Sequence, residues 1–221
     1  MRSKIQKILN PDELSLIKKL NTPKKIQDFL DAVPFNFQKK GQTYFSPRRL
    51  LRKKSAHCLE GALFAYLCLC YHNYESYILD LKVKKSAKED FDHVVAIFAI
   101  KIKGGGKTWG AISKTNHAVL RYRDPIYKSS DEVARSYFHE YFLDDGQKTL
   151  DSYSKPLAIF KKFGLSWITK EDDLHDIAEW IDNSAHFKFV AKGVQKMIRK
   201  VGKTEIKGAA ITEWDKNSKM L

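Results

Sequence analysis

Two residues of this chain, a cysteine and a histidine, are of the types that together can form a nucleophile. Cys58 lies where the polar stretch of residues 52–57 meets a nearly unbroken apolar run, residues 58–70, so it occupies the first turn of a predicted buried helix. The positive end of the helix dipole and its free N–H groups lower the pKa of a thiol from its usual value of about 8.5. This position therefore favours a reactive thiolate.

His93 lies near the start of a predicted strand, residues 91–100, that is apolar on both faces. Such a strand is typical of the centre of a sheet, and a histidine near its start lies at the end of the sheet. Alone, this histidine is most simply a hydrogen-bonded structural residue. Together with Cys58 it can accept the thiol proton at Nε2, which gives a reactive thiolate–imidazolium pair.

The other two cysteines, Cys68 and Cys70, point to other faces of the predicted helix and lie about 15 Å or more along its axis from Cys58. They cannot share a metal or a disulfide with Cys58 and are interpreted as small core residues. His57 is predicted to point about 100° away from the face of Cys58. Since the sequence contains no metal-binding or phosphate-binding motif, we expect no metal and no cofactor.

The elements that must position the two residues follow from caps, prolines and periodicity. Helices are predicted to begin at Asn10-Pro11, Thr22-Pro23 and Ser46-Pro47, and others at residues 130–142 and 173–182. Strands are predicted at residues 76–83, 91–102, 107–113 and 118–123. The predicted fold class is therefore α+β, with N-terminal helices and a central cysteine-bearing helix packed on an antiparallel sheet.

Length and composition suit one domain with an appendage. The chain has 221 residues, of which 43% are hydrophobic, and we predict a domain at residues 1–152 followed by a basic, helical, partly ordered extension at residues 153–221. Three cysteines are too few for a disulfide-built secreted module and favour a reducing compartment. With no signal peptide or membrane span in the pattern, the expected location is cytoplasmic, without a membrane partner.

Three segments together resemble the core of the transglutaminase-like superfamily, in an uncharacterised prokaryotic branch. They are His-Cys-Leu-Glu-Gly-Ala-Leu-Phe-Ala at residues 57–65, Asp-His-Val-Val-Ala-Ile-Phe at residues 92–98 and Gly-Lys-Thr-Trp-Gly-Ala-Ile-Ser at residues 106–113. The family pattern is a cysteine at the start of a central helix, a histidine on a strand, and a tryptophan-bearing strand that leads to an acidic residue. The resemblance covers roughly residues 45–127, a little under half of the chain.

This resemblance implies a papain-like α+β fold in which a Cys–His–Asp triad attacks an amide or ester carbonyl. The thioacyl intermediate is then resolved by water or by an amine. Cys58 matches the nucleophile and His93 matches the base. The chain departs from the pattern at the third position, because Ser113 stands where the family usually has aspartate.

Two further residues are candidates for the third position, and the sequence does not decide between them. A hairpin turn centred on residues 104–106 sets His93 opposite residues 115–117, so Asn116 could accept from His93 Nδ1. Asp124 is the nearest downstream acid, although its simpler interpretation is a turn residue before Pro125 or a partner of Arg121 or Arg123, and Asn116 is equally well interpreted as a loop residue.

Negative charge on a tetrahedral intermediate needs hydrogen-bond donors. The backbone N–H of Cys58 is one candidate by position, and Gln42 or Tyr44 could supply a second.

The sequence thus predicts a cysteine-dependent amide hydrolase or acyltransferase of the peptidase or deamidase type, acting on a peptide or protein amide. Ser113 favours one alternative, an inactive transglutaminase-like domain kept for peptide binding or scaffolding. The net charge of +14 favours another, a basic nucleic-acid-binding module. Because the lysines are dispersed and no recognition motif is present, we expect only non-specific electrostatic association with nucleic acid.

Overall fold

Three helices begin at a proline that follows a capping side chain, as the sequence predicts. Asn10, Thr22 and Ser46 each accept a hydrogen bond from a backbone N–H of the first turn. The computed structural model describes residues 1–39, 41–87 and 90–213. In these residues the helices are α1 (Arg2–Gln6), α2 (Pro11–Lys19), α3 (Pro23–Ala32), α4 (Pro47–Lys53), α5 (Cys58–Tyr71), α6 (Ser130–Ser136), α7 (Ile159–Phe163), α8 (His175–Asp182) and α9 (Lys203–Ala209).

The strands form one six-stranded antiparallel sheet in the order β4-β3-β2-β1-β5-β6. They are β1 (Glu75–Val83), β2 (His93–Lys101), β3 (Lys107–Ile112), β4 (Arg123–Tyr127), β5 (Leu150–Ser154) and β6 (His186–Lys188). Gly104, Gly105 and Gly106 join β2 to β3 with φ values of 95°, 108° and 80°, which glycine adopts without strain. Helices packed on an antiparallel sheet confirm the predicted α+β class.

The cysteine-bearing helix α5 is the centre of the larger core. Its fourteen residues are buried almost throughout, between the N-terminal helices on one side and strands β1 and β2 on the other. Phe64 is fully buried against Phe29, with 5.2 Å between ring centroids, and burial of such a side chain stabilises the fold by about 1.5–3 kcal/mol. Within the described residues, no helix combines the length and the apolar character needed to cross a bilayer.

Gly61 lets the chain after β3 approach the first turn of α5. A Cβ atom at this position would lie 2.3 Å from Cβ of Lys114, closer than packed carbon atoms can come. Lys114 is itself buried, and its Nζ donates to the carbonyl oxygens of Leu30, at 2.8 Å, and Val33 at the end of α3. This packing holds the segment that follows β3 against the start of α5.

The segment after residue 152 contributes to the same sheet and the same core. The predicted domain boundary at residue 152 lies inside β5, which pairs with β1 and with β6. Trp167, Leu174 and Ile177 pack in the larger core cluster together with α5. The sequence showed weak periodicity here because these elements are only three to eight residues long.

Two predicted elements differ from the structure. Residues 118–122 form a turn rather than a strand, and the next strand is β4, an edge strand that tolerates Pro125. The helix predicted at residues 130–142 ends at Ser136 and continues only as a 3₁₀ turn, Phe138–Glu140. The end of the predicted extension, residues 214–221, lies outside the described residues.

Candidate functional site

Cys58 is the first residue of α5 and lines a cavity of about 850 Å³. The cavity lies where the start of α5, the start of β2 and the segment after β3 meet. Sγ of Cys58 lies 3.9 Å from Nδ1 of His57 and 4.0 Å from the carbonyl oxygen of Asp92, to which the thiol can donate. His93 also lines this cavity, so both predicted reactive residues, Cys58 and His93, lie in one cavity wall.

His57 faces the thiol, which corrects the interpretation that it points away from Cys58. That interpretation assumed helical geometry, but His57 is the N-cap residue and has an extended backbone, with φ −96° and ψ −174°. Its Nε2 lies 2.7 Å from the carbonyl oxygen of Thr43, so Nε2 donates there. Nδ1 is thereby directed towards Cys58.

A buried carboxylate, Glu60, lies behind His57. It is fully buried and accepts hydrogen bonds at 2.9 Å from the backbone N–H groups of His57 and Phe45 and from the Thr43 hydroxyl. One of its oxygens also lies 3.4 Å from Nε2 of His57. Burial raises the pKa of Glu60. The hydrogen bond and charge of His57 and the two backbone N–H groups lower it by more, so the pKa of Glu60 lies below the ordinary value.

The Cys58 thiol and the His57 imidazole form a charged pair. Burial raises the pKa of Cys58, but hydrogen bonds and charge from His57 and His93 outweigh this and lower it to about 5. Burial lowers the pKa of His57, whereas its contacts with Cys58 and Glu60 raise it to about 10. At neutral pH the arrangement therefore holds a thiolate beside an imidazolium.

Ser113 is the residue that the structure brings to His93. Oγ of Ser113 lies 2.7 Å from Nε2 of His93 and donates its single proton to the carbonyl oxygen of Leu120, at 2.7 Å. Oγ must then accept from Nε2–H of His93. The expectation that Nε2 takes the thiol proton is therefore wrong, because Nε2 is occupied and Nδ1 is the ring nitrogen left for the thiol.

Of the other two candidates for the third position, Asn116 lines the cavity and Asp124 does not. Asn116 lines the cavity, and its backbone oxygen accepts from the N–H of Glu213 at 2.7 Å. Asp124 is exposed on the edge strand β4 and is not part of the cavity wall. The β2–β3 pairing ends at Ala96 and Ile112, three residues short of His93, so the ladder does not reach Asn116.

Candidate donors for an oxyanion also line the cavity. Both Gln42 and Tyr44 belong to the wall, and the Tyr44 ring packs edge-on against His57 with 6.0 Å between centroids. Burial raises the pKa of Tyr44, and the charges of Asp182 and Cys58 add to this. Its hydroxyl therefore stays protonated near the thiolate and can donate a hydrogen bond.

The charge of the cavity wall contrasts with the charge of the whole chain. The wall includes six carboxylates, whereas the chain carries a net charge of +14. These six are Asp80, Asp90, Asp92, Glu140, Asp144 and Asp182. Three of the six are paired with basic side chains, Asp80 with His186, Glu140 with Arg123 and Asp182 with Lys82, so the wall does not carry six uncompensated negative charges.

Sequence reasoning missed His57 and Glu60 as members of the site. The available signal was the spacing His-x-x-Glu at the start of the helix, which matches a capping box in which Glu60 accepts from the N–H of His57.

In the described part of the chain, no group of three or more histidine, cysteine or acidic side chains is placed to hold a metal ion. No protein-family model matches this chain, and no curated protein matches it.

Proposed function

We propose that this protein is a cysteine-dependent amide hydrolase or acyltransferase, of the peptidase or deamidase type, built on a papain-like, transglutaminase-like core. The observation that carries the proposal is the Cys58 thiol, whose pKa is lowered to about 5 by His57 and His93 at the wall of a large cavity. A thiolate is the reactive form of cysteine towards carbonyl carbon, and a cavity gives it a place to meet a substrate.

The two histidines have different tasks. His57 is held between Thr43 and Glu60, and with its pKa raised to about 10 it keeps its proton and stabilises the thiolate. His93 has its Nε2–H directed to Ser113, so its Nδ1 is the site that carries a proton between the thiol and the substrate. His93 therefore acts as the general acid and base, and His57 as the fixed positive charge.

The reaction proceeds in two steps. The Cys58 thiolate attacks the carbonyl carbon, and the oxyanion accepts from the Cys58 backbone N–H and from Tyr44 or Gln42. His93 gives the leaving amine the proton that its Nδ1 took from the Cys58 thiol, as the C–N bond breaks, which leaves a thioacyl intermediate. His93 then takes a proton from water, the hydroxide attacks the thioester, and the acid leaves as the thiolate returns. Hydrolysis is the proposed outcome, because water is always present whereas an amine acceptor needs its own site.

An acylation assay that does not require the natural substrate tests the proposal. Mixed with p-nitrophenyl acetate, the protein should release a stoichiometric burst of nitrophenol and gain one acetyl group on the peptide that contains Cys58. Cys58→Ala should lose the burst, and Cys70→Ala should keep it. A burst that survives Cys58→Ala, or acetylation spread over all three cysteines, would contradict the proposal.

One observation favours a second function, an inactive peptide-binding or scaffold domain. Ser113 gives His93 a neutral hydroxyl where an acid would stabilise its positive charge. The same assay separates the two functions. A burst followed by steady release of acetate supports the enzyme, whereas a stable acetyl-Cys58 that water does not cleave supports the binding domain.

A further inference from the structure

The end of the described chain pairs with the segment that follows β3. The N–H of Ala118 donates to the carbonyl oxygen of Ile211 at 3.0 Å, and the N–H of Glu213 donates to that of Asn116 at 2.7 Å. Thr212 thereby forms an antiparallel bridge with His117. Residues 211–213 thus lie as a short added strand on residues 116–118. We call residues 116–118 the docking strand.

The same region forms part of the cavity that contains Cys58. Ile206, Ala209, Ala210 and Thr212 line this cavity together with Asn116 and His117 of the docking strand. Burial lowers the pKa of His117 and the charge of His93 adds to this, whereas a hydrogen bond with the backbone of Ala209 opposes it. The docking strand therefore lies close to the proposed general base.

The contacts that hold residues 211–213 are few and exposed. Ile211 remains 54% exposed, so this segment buries little apolar surface. Within the described residues, Glu213 forms an ion pair with Arg121 at 2.6 Å, and the Glu213 side chain is 51% exposed. Exposed ion pairs and single backbone hydrogen bonds each contribute little net stability, so another strand can replace this segment.

We propose that the docking strand binds the substrate as an extended peptide by strand addition, and that residues 211–213 of this chain occupy the position in the structure. Backbone hydrogen bonds give such binding its affinity without fixing the peptide sequence. The inference rests on the proposed function and narrows its substrate to a polypeptide segment rather than a small amide. The chain's own C-terminal segment then competes with substrate.

A binding experiment in the Cys58→Ala background tests this without any turnover. The probe is a fluorescein-labelled peptide with the sequence of residues 207–213, Lys-Gly-Ala-Ala-Ile-Thr-Glu, titrated by anisotropy with the full chain. Glu213→Pro removes the N–H that donates to Asn116, whereas the matched variant Glu213→Ala keeps it and loses only the Arg121 ion pair. We expect Kd to be about three- to tenfold lower for Glu213→Pro than for Glu213→Ala, the effect of one backbone hydrogen bond.

A second variant tests the binding position itself. Ala118→Pro removes the N–H that donates to Ile211, so in the Glu213→Pro chain it should raise the Kd for the peptide again. Equal Kd values for all these variants would overturn the proposal. The result is independent of the acylation assay, because peptide binding with no burst rejects the enzyme and keeps the docking strand, and a burst without peptide binding does the reverse.

Discussion

The two ends of helix α5 carry the same side chain in opposite protonation states. At the first residue, the pKa of Cys58 is lowered to about 5 by His57 and His93 despite burial. Near the last turn, burial raises the pKa of both Cys68 and Cys70 above the ordinary value. A cysteine in this helix is thus a core residue unless imidazoles face it, and the helix start alone does not explain the contrast.

Selective alkylation measures this contrast directly and has the largest expected effect. At pH 7, iodoacetamide should label Cys58 at least about a hundredfold faster than Cys68 or Cys70, because only Cys58 is largely thiolate at this pH. The rates are read by mass spectrometry of peptides from the folded protein. Similar labelling rates for all three cysteines would remove the difference between the two ends of α5.

His57→Gln tests whether the imidazolium creates the contrast. Without the positive charge beside the thiolate, the pKa of Cys58 should rise by about one to two units, so the midpoint of the alkylation rate against pH should move up from about 5. Since more thiol is then protonated at pH 6, alkylation there should become about two- to tenfold slower.

A histidine at the opposite end of α5 gives the matched control. Nε2 of His72, the C-cap residue, lies 2.8 Å from the carbonyl oxygen of Ile17, far along the helix from the thiolate. His72→Gln should leave the alkylation midpoint unchanged. If His57→Gln also leaves it unchanged, the low pKa of Cys58 has another origin, and the separate task assigned to His57 is wrong.

Gly61→Ala tests whether the reactive end depends on close packing. Alanine favours a helix over glycine by about 1 kcal/mol, but its Cβ would lie 2.3 Å from Cβ of Lys114. Because this Cβ is bonded directly to the Lys114 backbone, a change of rotamer cannot move it away. Overpacking of this kind costs about 1–3 kcal/mol, which exceeds the helix gain over most of its range, so the free energy of unfolding in urea should fall by up to about 2 kcal/mol.

Gly208 in α9 is the matched position. No atom of the described residues lies within 4 Å of a Cβ built there, so Gly208→Ala should leave the protein equally or slightly more stable. A loss of stability of the same size in both variants would show that the cost is not the contact between α5 and Lys114.

The sequence predicted much of the fold where local signals are strong. The caps and prolines before α2, α3 and α4 and the β-branched runs of β1 to β3 are confirmed, because each acts within a few residues. Elements such as α1, α7 and β6 were not predicted, since three to five residues are too few to show a period. Their positions depend on tertiary packing.

The candidate site was predictable only in part. Cys58 and His93 could be selected because residue type and place in an element suffice to suggest a thiol and a base. The orientation of His57 depends on the extended backbone of an N-cap, and the contact of Ser113 with His93 depends on how the chain turns after β3. Both are settled by packing between segments distant in sequence, which a single sequence does not show.

Ser113→Ala should have the smallest effect and sharpens the comparison at the level of one hydrogen bond. Removing Oγ leaves Nε2–H of His93 without its acceptor, so the imidazole is less firmly held and the acylation rate of Cys58 should fall by about three- to tenfold. The burst rate with p-nitrophenyl acetate measures this, and thermal unfolding checks that the variant is folded.

Two variants decide whether that loss comes from the base or from packing. Ser113→Thr keeps a hydroxyl at this position and should restore much of the rate, which a packing defect would not allow. Ser76, in β1, has its Oγ 3.3 Å from Sγ of Cys70 near the other end of α5, and the pKa of that thiol is raised by burial. Ser76→Ala should therefore leave the burst unchanged. If Ser113→Ala does so too, His93 does not depend on Ser113 for its orientation, and the hydroxyl serves only to hold the turn through Leu120.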